Sequence, residues 1–212
     1  MVTNFESGFE IGNLSEFNQV ITNGTLAATK AVRKSGLYSC LANIGIGAGS
    51  RALVQKYLSP TLALFYLRFY AYFITIPSGY FLGDMCTTDG TGSSQVRVLS
   101  DSIRLIHTKP SWVQTRYNIT LELLRWYCFE IKTLHGSLNG EARLYLDGTE
   151  IIALTGIDTT TCSNAGSIEI GIGYHDSTYE EAVHIDDIKV ADEYIGLISV
   201  KSPMMMQVKG GL

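Results

Sequence analysis

Charge is scarce in this 212-residue chain: Asp, Glu, Lys and Arg make up 17% of it and the net charge is −4. No basic run or stripe is present to collect phosphates, which argues against a nucleic-acid protein. No apolar run reaches the ~20 residues of a membrane helix, and the longest, Leu62–Phe73, carries Arg68 in its middle. No membrane partner is expected. Met1–Glu10 has neither a basic nor an apolar leader region, so export by a signal peptide is not expected either. Without a secretory route the sequons at Asn13, Asn23 and Asn118 carry no meaning.

Cysteine and proline are also sparse. Cys40, Cys86, Cys128 and Cys162 are far apart with no C-x-x-C, which excludes the usual zinc patterns. Cys128, inside W-Y-C-F-E-I, is expected as a buried thiol. Cys86 and Cys162 could form a loop disulfide, whereas a reducing cytosol favours thiols. Four Pro against 21 Gly and 12 Tyr fit strands joined by tight turns, and 46% apolar residues supply a core.

What is present alternates with period two. In Leu64–Phe73, Phe65, Leu67, Phe69, Ala71 and Phe73 share one strand face. Tyr66, Arg68, Tyr70 and Tyr72 share the other, as a surface for a sugar or a partner unless other parts of the chain cover it. Further strands are expected at Gly36–Ala42, Tyr80–Met85, Thr115–Leu121, Leu124–Ile131 and Ser167–Tyr174. Gln95–Leu99 and Ile103–His107 read as a hairpin, and Asp147–Gly148 is a type I′ hairpin signal. Arg51–Leu58 reads as a short helix or an irregular crossing. Roughly a dozen strands and no long helix predict an all-β, two-sheet antiparallel sandwich. One domain over residues 1–196 and a tail over 197–212 are expected.

Near the end, V-H-I-D-D-I-K-V (Val183–Val190) changes phase: Val183 and Ile185 share one phase, Ile188 and Val190 the other. A β-bulge at Asp186–Asp187 is therefore expected. Its two carboxylates either hold a hard cation, with Glu6 from a paired first strand, or only accept loop N–H groups. The sequence leaves both open.

The series F-E-S-G, W-Y-C-F-E-I, R-L-Y-L-D-G-T-E-I and H-I-D-D-I-K-V-A-D resembles the concanavalin A-like (laminin-G-like) jelly-roll superfamily from Phe5 to about Asp192. The resemblance implies a structural calcium near Glu6 and Asp187, with Asp186 as neighbour. The ending D-D-I-K-V-A-D-E-Y-I-G-L-I-S-V-K-S-P is similar to the closing segment of laminin-G-like virion proteins of tailed bacteriophages. It implies a protein made in the host cytosol and carried on a particle.

Catalytic patterns of the superfamily are missing. No E-x-D-x-x-E strand is present; Glu169 has no second acid two or four residues away. R-L-I-H (Arg104–His107) lacks the glutamine of the lyase motif Q-I-H. His107 is expected as a satisfied core imidazole, His135 and His175 in loops, and His184 on one face with Asp186. A non-enzymatic virion protein (decoration, stabilisation or appendage) is thus expected. Its expected partners are other virion proteins or a second copy, and host glycans. The methionines at 204–206 suit docking. The alternatives are a free-standing glycan-binding module and, more remotely, a divergent lyase or hydrolase.

Overall fold

The computed structural model describes residues 1–75, 80–86, 94–108, 112–160, 165–177 and 180–198. Cys162, the 204–206 methionines and the side chains of Cys86 and His175 lie outside the described parts, and with them the expected disulfide and tail docking.

The chain forms the expected two-sheet antiparallel β-sandwich. Its strands, numbered in chain order, lie in two sheets. One holds β13 (Thr149–Ile157), β12 (Gly140–Leu146), β11 (Trp126–Leu134), β6 (Leu64–Phe73), β15 (Glu181–Ala191), β4 (Ser39–Ile44) and β3 (Thr25–Thr29) in that order, with β1 (Thr3–Ser7) also on β15. The other holds β10 (Val113–Asn118), β9 (Ser102–His107), β8 (Ser94–Leu99), β7 (Tyr80–Cys86), β14 (Ala165–Ser177), β5 (Gly47–Leu62) and β2 (Gln19–Thr22).

Alternation decides which side chains meet between the sheets. Phe65, Leu67, Phe69, Ala71 and Phe73 are fully buried, and Phe69 stacks on Phe129 of β11 at 5.5 Å. The second sheet answers with Val96, Val98, Ile103, Leu105, Ile168 and Ile172. Each large apolar side chain so buried contributes roughly 1.5–3 kcal/mol. The Asp147–Gly148 turn has φ of 48° and 80°, both positive as a type I′ turn requires.

Arg51–Leu58 is not helical; it belongs to β5, the longest strand. Ala52 and Val54 face the core while Leu53 is buried on the opposite face, and apolar residues on both faces hide the period of two. His175 lies in β14 rather than in a loop.

The expected first-to-last pairing and bulge are both present. β1 runs along the second half of β15, with Glu6 opposite Lys189, while β4 pairs with the first half, from Glu181 to Ile185. The pairing of β15 with β6 shifts register between Asp186 and Lys189, and Asp187 has φ 48°. The two aspartates sit where β15 passes from one neighbour to the other.

Candidate functional site

The outer face of the seven-stranded sheet carries a polar row. Gln55 of β5, Glu169 of β14, Asp84 of β7 and Gln95 of β8 are in register on four adjacent strands. Their strand neighbours Val54, Ile168, Ile170, Met85 and Val96 point into the core, so the row points out. Gln55 Nε2 donates to Glu169 Oε1 at 2.9 Å, and Gln95 Nε2 donates to Asp84 Oδ2 at 2.9 Å. Glu169 and Asp84 meet in the middle, and opposite residues on paired strands hold their Cβ atoms roughly 4.5–5.5 Å apart.

A cleft of about 190 Å³ opens over Glu169, Asp84 and Gln95 of this row. Its space comes from the sequence E-I-G-I-G: the outward positions after Glu169 are Gly171 and Gly173, both of which line the cleft. A Cβ on Gly171 would lie 2.3 Å from Ala52 O, and one on Gly173 2.7 Å from Phe81 Cβ. Both positions therefore exclude side chains, and the trough beside Glu169 stays open. Arg51, Leu53 and Phe81 form its walls. Burial pushes the Glu169 carboxyl above its usual range, with Arg51 opposing the shift. A carboxyl so placed can hold or release a proton nearer neutrality, and the amides and carboxylates together can bond several hydroxyl groups.

Three arginines follow two residues along the same face. Arg97 of β8, Arg104 of β9 and Arg116 of β10 are in register. Arg104 and Arg116 line a second cleft with Gln114 and Thr115.

The Tyr66–Tyr72 column is on the outer face of the eight-stranded sheet, and the chain's own C-terminal segment lies over its middle. Arg68 is 6% exposed and Tyr70 4%. Glu130, opposite Arg68, accepts from Ile195 N at 2.7 Å and Gly196 N at 2.8 Å. Arg68 Nη1 donates to Gly196 O at 3.2 Å, and Ile198 N donates to the Tyr70 hydroxyl at 2.9 Å. Tyr194 places its ring against those of Tyr66 and Tyr145. Tyr72 keeps partial exposure beside Trp126 and His184. The middle of the column is thus covered by residues 194–198, while Tyr66 and Tyr72 at its ends stay partly exposed.

The bulge carboxylates are occupied differently from one another. Asp186 is fully buried; Oδ2 accepts from Lys34 N and Ser35 N, and Oδ1 from Asp187 N. Burial and the neighbouring Asp187 push its carboxyl up to about 7, against those N–H groups. Asp187 Oδ1 takes the Ser35 hydroxyl at 2.9 Å, while Oδ2 is buried with no partner. Glu6 leans to Lys189 at 3.4 Å and stays exposed. Burial pushes the Asp187 carboxyl up, against the Ser35 hydroxyl; Glu10, which the sequence did not single out, accepts from Leu37 N and Tyr38 N and adds to the rise by its charge. Among the described residues no three His, Cys, Asp or Glu side chains gather as a metal site. The calcium implied by the resemblance fits only through Asp187 Oδ2, completed by backbone or water oxygens.

His107, His135 and His184 are held within the fold by hydrogen bonds. His107 is fully buried with Nδ1 3.3 Å from Ser94 Oγ, which accepts from Thr133. His184 Nδ1 is 3.0 Å from Ser39 Oγ, and His135 Nδ1 is 3.2 Å from Thr159 O. Burial lowers the pKa of His135 and His184. Cys40 and Cys128 are buried free thiols.

Neither a protein-family model nor a curated protein matches the sequence. Solved structures do share the fold. An endo-β-1,4-glucuronan lyase from the fungus Trichoderma reesei is 12% identical over 91% of this chain and 96% of its own, with a TM-score of 0.71. The cellulose-induced protein Cip1 is 18% identical over 91% and 99%, with a TM-score of 0.66. A botulinum neurotoxin type C structure, described by its dependence on two ganglioside molecules, is 11% identical over 84% of this chain and 43% of its own, at 0.60. At these identities the likeness establishes the fold alone: the chain is a two-sheet jelly roll.

Proposed function

We propose that this chain is a carbohydrate-recognition jelly roll that takes a polysaccharide across the outer face of its seven-stranded sheet. The Gln55–Glu169–Asp84–Gln95 row carries this reading. Strands ~4.8 Å apart present two carboxylates flanked by two amides along a line at right angles to the strands. That spacing suits a chain with hydroxyl groups on every residue. Two structural neighbours are described by a glucuronan and by gangliosides, both sugar-bearing ligands, which supports the assignment. A virion location rests on the C-terminal resemblance alone, and a glycan-holding face is compatible with it.

Affinity electrophoresis in gels of soluble neutral and acidic polysaccharides tests the proposal. Retardation by at least one polymer is expected, weakened about tenfold or more in Glu169→Gln/Gln55→Ala and retained in Tyr66→Ala. Free migration in every gel, or retardation indifferent to the double variant, would refute it.

One observation favours cleavage as a second reading. Glu169, its carboxyl raised by burial, faces the carboxylate of Asp84 across one strand spacing. An acid and a base held together in one cleft can act on a glycosidic bond. New chain ends appearing with wild type but not with Glu169→Gln would support this; intact polymer after long incubation would leave binding alone.

A further inference from the structure

Arg97, Arg104 and Arg116 stand directly opposite one another on three adjacent strands. Like charges in that relation destabilise a sheet, so each guanidinium calls for a counter-charge. Arg116 has one: its Nη2 lies 2.6 Å from Asp101 Oδ2. Arg97 and Arg104 have no hydrogen-bond or carboxylate partner among the described residues, and Nε of Arg97 is buried without an acceptor. Burial and the charge of Arg104 both lower the Arg97 pKa, as expected for two cations held close.

Arg97 is also fixed in place. Its guanidinium lies over the Phe81 ring, 4.6 Å from the centroid. Stacking uses the flat face of the guanidinium and leaves its N–H edges free for a planar or tetrahedral anion. Phe81 is a wall of the Glu169 cleft, and Gln95, in the polar row, is two residues from Arg97 on β8. The unpaired cations are therefore one step, about 7 Å, from the row that would hold sugar hydroxyls.

We infer that the Arg97–Arg104 pair is an anion subsite of this groove, so that the glycan it takes is an acidic one, bearing uronate carboxylates or sulfate esters. The inference rests on the proposed groove and adds the charge of its ligand. The net charge of −4 makes the pair a local feature rather than part of a basic surface.

The test compares equilibrium binding of polygalacturonate with that of the same preparation after its carboxylates are reduced to hydroxymethyl groups, and of dextran sulfate with dextran. The full chain is used, with retained melting temperature as the folding control. Wild type is expected to bind one acidic polymer about tenfold or more tighter than its uncharged counterpart, less so as salt rises. Arg97→Gln/Arg104→Gln is expected to abolish the preference, and Arg104→Lys to keep part of it, since charge remains while the planar fork is lost. Preference for polygalacturonate identifies a carboxylate, and preference for dextran sulfate a sulfate ester. Equal affinity for charged and uncharged forms overturns the anion subsite while leaving the groove standing. An unchanged preference in the double variant also overturns it, and no binding of any polymer overturns both.

Discussion

Glu169 and Asp84 face each other across β14 and β7, although 85 positions of sequence numbering separate them, each held by a glutamine amide on its far side. Removing the charge of Glu169 should therefore weaken ligand contact without unfolding the sheet. Glu169→Gln is expected to reduce glycan affinity about tenfold and to leave the melting temperature within about 2 °C of wild type, or to raise it, because an ionised carboxylate no longer has to be buried. Calorimetry and binding on the same preparation check this. A large loss of stability would instead make Glu169 a structural residue.

Glu130 holds the C-terminal segment against the eight-stranded sheet through two backbone N–H groups. Glu130→Ala leaves both unpaired and strips a neighbouring carboxylate from buried Arg68. The expected loss is about 2–4 kcal/mol, read as a lower urea midpoint at unchanged m-value. An unchanged midpoint would mean that residues 194–198 are held by other contacts.

The same carboxyl sets part of the pH dependence. Burial holds Glu130 above its ordinary 4.5, against the two N–H groups and Arg68. A carboxyl raised in the folded state stabilises fully below the unfolded value, and that contribution is lost as pH rises through the folded one. Stability should thus gain from this group as pH falls toward 4.5, and Glu130→Gln should remove that gain. Taking the difference between the two proteins at each pH cancels the opposite pull of His135 and His184, whose pKa values burial lowers. Parallel profiles would contradict the assignment.

Asp187 Oδ2 is buried and unpaired in the bulge, close to the charge of Glu10. Calcium is expected to raise the melting temperature, by the equivalent of about 2.7 kcal/mol at a hundredfold excess over Kd. The effect should vanish in Asp187→Asn and persist in Glu6→Gln, since Glu6 is engaged with Lys189. No shift in wild type would leave the aspartates as partners of Lys34, Ser35 and their own backbone only.

The strands and the bulge were legible because alternation over Leu64–Phe73 and the phase change at Asp186–Asp187 are local signals. The groove was not, because it is made by register. Glu169 has no acid at strand spacing in its own segment; Asp84 reaches it only through the pairing of β14 with β7. One clue was present in E-I-G-I-G, where glycines at outward strand positions open space above a sheet. The tyrosine column was placed on the right face, but the covering of its middle by residues 194–198 depends on Glu130, a residue of a different strand.

Hydroxyl-radical footprinting, with and without the polysaccharide that binds best, distinguishes the two sheet faces directly. Phe81 and Tyr57 report on the outer face of the seven-stranded sheet, Tyr66, Tyr72 and Trp126 on that of the eight-stranded sheet. The groove assignment predicts that ligand slows oxidation of Phe81 and Tyr57 and leaves the other three unchanged. Protection of Tyr66, Tyr72 and Trp126, with Phe81 and Tyr57 oxidised at the free rate, would contradict it.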